Sequence, residues 1–260
     1  SAASDVYKRQ ILKGTKTMKK KYVLITGSSR GIGRACAVAF AKNGYHVFIN
    51  CKNSVEQLAE TEHEILASGG GCTALPGDVS DPDVVRSIFC KIKKVCQGVD
   101  VLVNNAGISH IGLLTDMSPD QWHRVMSTNL DACFYTCKLA VPLMLHRHSG
   151  RILNISSVWG NVGASMETAY SASKGAVNSL TRALAKELAP SNIAVNAIAC
   201  GVIDTDMNRC FSEEELQALI EEIPADRLGQ PEEVGLLALK LAESPLYLTG
   251  QIITMDGGFL

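Results

Sequence analysis

The chain has 260 residues, 46% of them hydrophobic and 20% charged, with a formal net charge of −1. That is ordinary globular composition, long enough for one large α/β unit or two small ones. The balanced charge gives no reason to expect nucleic acid or a membrane surface as partner, and no apolar run of about 18 residues is present to span a bilayer.

Residues 1–21 hold seven Lys/Arg against the single acid Asp5, so the basic charge is concentrated at the start. This stretch lacks the apolar segment and cleavage site of a secretory signal. Residues 1–19 read as a tail, disordered or foreign to the native chain, with Met18 a candidate start; 20–260 then forms one folded domain. Short apolar runs follow at 22–27, 46–50, 72–78, 99–107, 150–156, 193–199 and 250–256, and amphipathic helical patterns near 31–43, 54–68, 81–96, 118–146, 168–190 and 231–243. Strands that are almost continuously apolar and alternate with helices predict an α/β fold: a single-domain, Rossmann-type, doubly wound sheet of seven parallel strands with helices on both faces.

The nine cysteines are scattered, with no C-x-x-C pair. Several, including Cys36, Cys90, Cys133 and Cys137, sit in apolar contexts. They read as buried thiols of a cytoplasmic protein rather than as disulfides. The six histidines lack H-E-x-x-H spacing, so no metal is expected.

Chemistry begins after the first strand. "VLITGSSRGIG" places Gly27, Gly31 and Gly33 between that strand and the first helix. Small residues there let the backbone approach a pyrophosphate held at the helix N-terminus. An acid about 20 residues further on would mark NAD, because it binds the ribose hydroxyls. Here the second strand ends "INCKN" with no acid, while Arg30 and Lys52 are cations suited to a 2′-phosphate, so NADP(H) is the expected cofactor. Further on, "AYSASKG" puts Tyr170 and Lys174 one helical turn apart. By itself that pair equally suits a helix surface, and Ser156, Ser157, Asn104, Asn105, Asn129 and Asp78 equally suit caps, turns and tolerated polar positions.

Taken in order, "TGSSRGIG", "DV", "NNAG", "STNL", "ISS", "YSASK" and the ending "LTGQIITMDGG" resemble the short-chain dehydrogenase/reductase family over nearly all of 20–260. Within that family the chain is most similar to the bacterial 3-oxoacyl-acyl-carrier-protein reductases. "WGNVGAS" and "ALAKELAPSNI" also resemble reductases acting on 5-aminopentanone-modified elongation factor P. The resemblance implies that Tyr170 is the acid and that Lys174 lowers its pKa and binds the nicotinamide ribose. Ser157 would orient the carbonyl, and Asn129 would hold a water leading to Lys174. It implies cofactor contacts from Gly27, Ser29, Arg30, Gly31, Ile32, Gly33, Asn50, Lys52, Asp78, Val79, Asn105, Ala106, Gly107, Tyr170, Lys174, Gly201, Ile203 and Thr205.

The implied reaction is NADPH-dependent reduction of a small or carrier-linked ketone, first of all a 3-oxoacyl thioester. Reduction of the modified lysine on elongation factor P, or dehydrogenation of a hydroxysteroid or other secondary alcohol, are the alternatives. A non-catalytic NADP-binding regulator is the reading from a different class. The family also implies a homotetramer packed through the 118–146 and 168–190 helices. One departure stands out: Cys200-Gly201 replaces the family's usual Pro-Gly, which would loosen a covering segment at 201–212 and leave Cys200 either open to oxidation or a buried inert thiol. The substrate mouth is expected from 108–114, 158–166 and that segment, with His110, Trp159 and Met166 as candidates.

Overall fold

A computed structural model describes residues 20–208 and 211–260. The predicted tail and Met18, together with residues 209–210 of the covering segment, lie outside the described residues. Seven strands form one sheet in the order β3-β2-β1-β4-β5-β6-β7, every pair parallel. They are β1 (Lys21–Ile25), β2 (Tyr45–Ile49), β3 (Gly71–Ala74), β4 (Val101–Asn104), β5 (Gly150–Ser157), β6 (Ile193–Cys200) and β7 (Ile252–Met255).

The helices are α1 (Gly31–Lys42), α2 (Val55–Ala67), α3 (Pro82–Val95), α4 (Pro119–Met126), α5 (Ala132–Arg147), the single turn α6 (Trp159–Val162), α7 (Thr168–Leu188), α8 (Glu213–Glu221) and α9 (Pro231–Glu243). Strand side chains alternate between faces. Val23 and Ile25 of β1 join a core with Phe40 of α1, Leu58 of α2 and Val234 of α9. Leu24 joins the opposite core with Ile88 of α3, Met144 of α5 and Leu188 of α7. The sheet is therefore covered on both faces, as its apolar strands require.

The chain reverses its direction of winding at β1, which pairs with both β2 and β4. Such a switch point opens a crevice at the carboxyl ends of the two strands. Below it runs a buried polar ladder. Asn104 donates to Asn154 Oδ1 (2.9 Å) and Asn154 donates to Thr181 Oγ1 (2.8 Å), while Thr136 Oγ1 lies 2.7 Å from Asn104 Oδ1. Each buried amide is thereby satisfied, and α5 and α7 are pinned to β4 and β5 at a defined register.

Several boundaries differ from the sequence reading. The third strand stops at Ala74 rather than 78, because the Leu75 and Gly77 carbonyls turn aside to accept from Asn50 Nδ2. The fourth stops at Asn104, since the Asn105 and Ala106 N–H groups donate to Thr26 Oγ1 instead of to a strand. The expected single helix over 118–146 is two helices joined by a π-helical turn, Ser127–Asp131. Helix α8 was not anticipated, although its capping box, Ser212 with Glu215, is visible as S-x-x-E. Cys36, Cys133 and Cys137 are buried as expected, but Cys90 is exposed, because it falls on the solvent face of α3.

His46 of β2 is buried among Tyr22 and Phe48, with Nε2 2.9 Å from Thr73 Oγ1. Burial, aided by the nearby Lys20 charge, holds its imidazole below the ordinary pKa. The unfolded chain then takes up a proton near pH ~6.5 that the folded chain resists, so stability falls as pH drops below that value. Urea midpoints measured from pH 7.5 to 5.5 should decline for the wild type and decline less for His46→Phe; equal slopes would contradict this assignment.

Candidate active site

The first wall of the crevice is the turn after β1. Gly27 has φ +62°, and a Cβ on Gly33 would lie 2.2 Å from the Gly27 carbonyl and 2.5 Å from Asn105 Nδ2, so only glycine fits at either position. Ser28 fastens the turn to β2: its N–H donates to the Asn50 carbonyl (2.7 Å), and its Oγ accepts from Asn50 N (2.9 Å). Helix α1 starts immediately after, with Arg30 at its N-cap making no side-chain cap bond and no acid in its first turn. Its first N–H groups remain available to an anion. This cradle of glycine backbone and helix N-terminus fits a dinucleotide pyrophosphate.

The second wall comes from the ends of β2 and β3. Asn50 lines the cleft, yet its amide is spent on the Leu75 and Gly77 carbonyls, so it shapes the wall. Asp78 accepts from the Ser80 N–H (2.9 Å) and hydroxyl (2.7 Å) and pairs with Lys52 at 2.6 Å. Partial burial by itself would raise the Asp78 carboxyl, but Lys52 and Ser80 outweigh it and hold the group below the ordinary carboxylate range. Asp78 thus both caps a turn and lines the cleft, and Val79 lines it beside Asp78. Arg30 Nε lies 3.4 Å from Asp206 Oδ2. Both predicted phosphate-binding cations therefore have carboxylate partners, and with side chains 55–56% exposed both can swing.

The floor is Asn105-Ala106-Gly107, held by Thr26 Oγ1, which accepts from the Asn105 and Ala106 N–H groups (3.0 Å each). Asn105 Nδ2 returns to the Thr26 (3.0 Å) and Gly27 (2.8 Å) carbonyls. The sequence reading passed over Thr26, although its place directly before Gly27 was the available signal.

At the far end β5 delivers Ser157 and α7 delivers Tyr170 and Lys174, all lining one cleft of about 990 Å³. Ser157 Oγ accepts from Trp159 N (3.2 Å) and stands close enough to the Tyr170 phenol to favour its ionised form. Lys174 is 4% exposed, its Nζ donating to the Ile155 carbonyl (2.8 Å) and lying 5.5 Å from the Tyr170 ring centroid. The expected lowering of the Tyr170 pKa by Lys174 is not found. Burial pushes the phenol above its ordinary range, Ser157 opposes this, and the Glu167 charge adds to it. Burial also lowers Lys174. Burial thus leans both groups towards their neutral forms.

Asn129 sits in the π turn, buried. Its Nδ2 donates to the Ile108 carbonyl and to Ser173 Oγ (2.9 Å each), and its Oδ1 accepts from Ile108 N (2.8 Å). The side chain therefore ties the β4 loop to α7, and a Cβ on Gly107 would touch both Asn129 Oδ1 and Lys174 Nζ at 3.4 Å.

The covering segment brings Gly201, Ile203 and Thr205 to the cleft, Thr205 Cγ2 packing over Gly31. Cys200 lies beneath, its thiol pushed up to about 12 by burial, so of the two readings the inert buried thiol fits and the oxidisable one does not. His110 and Trp159 line the cleft, with Trp159 edge-on to Phe259. Met166 does not line it; the residue is exposed at φ +62°, and its carbonyl accepts from Gly112 N. Glu167, its neighbour, does line the cleft and was also missed.

The short chain dehydrogenase family model matches residues 21–216. The chain is 39% identical to the 3-oxoacyl-(acyl-carrier-protein) reductase FabG of Staphylococcus aureus, over 92% of this chain and 97% of that protein. It is 40% identical to nodulation protein G of Azospirillum brasilense, over 93% and 98% respectively. A crystal structure of the 3-oxoacyl-(acyl-carrier protein) reductase from Brucella melitensis superposes with a TM-score of 0.87 at 37% identity, covering 93% of this chain and 92% of that one. Gly33→Ala should weaken dinucleotide binding by about tenfold or more, since a methyl group has no room in the turn. Titration of nicotinamide fluorescence on folded protein measures this, and unchanged affinity would remove the cradle from the site.

Proposed function

The chain belongs to the short chain dehydrogenase family, and from that membership we propose an NADPH-dependent carbonyl reductase, with a 3-oxoacyl thioester as the first substrate to consider. Membership and the named relatives establish the coarser part, an oxidoreductase of CH–OH and C=O groups that uses a nicotinamide cofactor. The observation that carries the finer reading is the convergence of Ser157, Tyr170 and Lys174 at one end of a cleft whose other end is a glycine cradle.

When bound, the nicotinamide dinucleotide supplies a hydride to the carbonyl carbon. Gly27 to Gly33 and the start of α1 would hold its pyrophosphate. Lys52 and Arg30 would exchange Asp78 and Asp206 for a 2′-phosphate, which offers each more charge than a carboxylate does. Asp78, Val79, Asn105, Ala106, Gly107, Gly201, Ile203 and Thr205 complete the cofactor wall. Ser157 Oγ donates to the carbonyl oxygen and orients it. The Tyr170 phenol, kept protonated by burial, gives its proton to that oxygen as negative charge develops there. Lys174 Nζ, in its protonated form, would favour the phenolate as it forms. Asn129 is a positioning residue that keeps the β4 loop and α7 in register, and a water reaching Lys174 past Gly107 would be the route for reprotonation.

The names of the relatives support a 3-oxoacyl substrate, and so do the apolar side chains of Ile111, Met207 and Phe211 along the cleft. A second reading, reduction of the aminopentanone-modified lysine on elongation factor P, is favoured by the carboxylate of Glu167 on the cleft wall. Exposed Phe134 and Leu145 on α5 support a homotetramer. Among the described residues every cysteine is free and no helix is long and apolar enough to cross a membrane, which supports a cytoplasmic enzyme.

Tyr170→Phe should lower kcat for ketone reduction by about 10²–10⁴ while leaving cofactor affinity nearly intact. Stopped-flow turnover and cofactor titration on the same preparation separate the two; full activity would remove Tyr170 as the proton donor, and no turnover by the wild type would favour the non-catalytic regulator. The double change Arg30→Ala/Lys52→Ala should raise KM for NADPH about tenfold or more and leave KM for NADH unchanged. Equal effects on both cofactors would remove the preference for NADP.

A further inference from the structure

The cleft holds one group that the hydride-transfer reading does not use. Glu167 occupies the N-cap of α7, one turn before Tyr170 and on the same side of the helix. Its Oε1 accepts from the Ser109 hydroxyl, and the adjacent Gly112 N–H to Met166 carbonyl bond (2.8 Å) ties the same two segments. No cation among the described residues pairs with this carboxylate. It is half-buried, it lines the cleft, and its charge raises the Tyr170 phenol.

An uncompensated anion at this place works against the reaction. Reduction of a ketone builds negative charge on the carbonyl oxygen and then on the Tyr170 oxygen, and Glu167 repels both. A substrate bearing its own cation would pair with Glu167, relieve that repulsion and ease proton transfer from Tyr170. A neutral acyl chain would desolvate the carboxylate without compensating it.

We propose that Glu167 is a specificity-determining residue that selects ketones carrying a positively charged group, of the ammonium class, near the carbonyl. The separation of one helical turn, about 5–6 Å between the Glu167 and Tyr170 side-chain bases, sets the spacing at roughly four to five bonds. The inference rests on the reductase reading and deepens its second form, because a lysine-derived aminoketone has this chemistry and a 3-oxoacyl thioester does not.

The test compares two ketones of equal shape: a trimethylammonio methyl ketone with three methylenes between carbonyl and nitrogen, and its neutral tert-butyl isostere. A 3-oxoacyl thioester is the third substrate, and each is assayed with NADPH. The wild type should prefer the cationic ketone in kcat/KM by about tenfold. Glu167→Gln keeps an acceptor for Ser109 and should bring that ratio to about one. Should the variant fail to fold, the wild-type ratio itself should fall as salt rises from about 0.05 to 0.5 M. Turnover without charge preference, or a ratio that the variant and salt leave unchanged, overturns the assignment of Glu167 alone. No reduction of any of the three carbonyls overturns the reductase reading and this inference with it.

Discussion

Everything in the site hangs on the clasp at the winding reversal, where Thr26 Oγ1 receives the Asn105 and Ala106 N–H groups and Asn105 returns its amide to the Gly27 carbonyl. At that point β1 and β4 stop pairing and their ends must part to open the crevice. Parting exposes backbone donors and acceptors that the strands no longer satisfy, and burying them unpaired would cost about 1–3 kcal/mol each. The clasp satisfies them while holding the gap open. The same amide is what leaves Gly33 no room for a side chain, so the cradle and the floor form one object.

The polar ladder through Asn104, Asn154 and Thr181 carries that register outward. Leucines alone would let α7 slide along the sheet by fractions of an ångström, whereas an amide must meet its partner at hydrogen-bond distance. Thr181 is two turns beyond Lys174, so fixing it sets how Tyr170 and Lys174 approach Ser157. Asn129 acts from the other side through Ser173 and Ile108. The result is a recessed site in which burial raises Tyr170 and lowers Lys174, favouring the neutral phenol beside an amine whose charge is disfavoured.

Much of this was legible before the fold was known. Apolar strands alternating with helices predicted a covered parallel sheet, and the glycine turn announced itself by its position after the first strand. The amphipathic pattern over 168–190 marked a helix packed on a core, and in it Val177 and Leu188 are buried while Leu180 and Leu184 are half-buried. The missed features share a physical cause. The π turn at Ser127–Asp131 breaks no hydrophobic period, because the apolar face resumes after it. Glu167 looks like an ordinary helix-start acid, and nothing local says that the β4 loop brings Ser109 against it. The Lys174 effect on Tyr170 was what the family resemblance implied, and neither the resemblance nor the spacing says how deeply the pair is buried.

The sequence by itself determined the class of fold, the place of the cradle and the identity of the side chains available to react. These are short-range consequences of periodicity, glycine conformational freedom and helical spacing. Only the tertiary structure decided what those side chains are: which cation faces which carboxylate, which thiol is sealed, and whether an acid on a helix end looks at solvent or at a carbonyl. Those properties depend on dielectric surroundings and on partners many residues distant in the chain, and both come into being when the strand ends and helices close around the cleft.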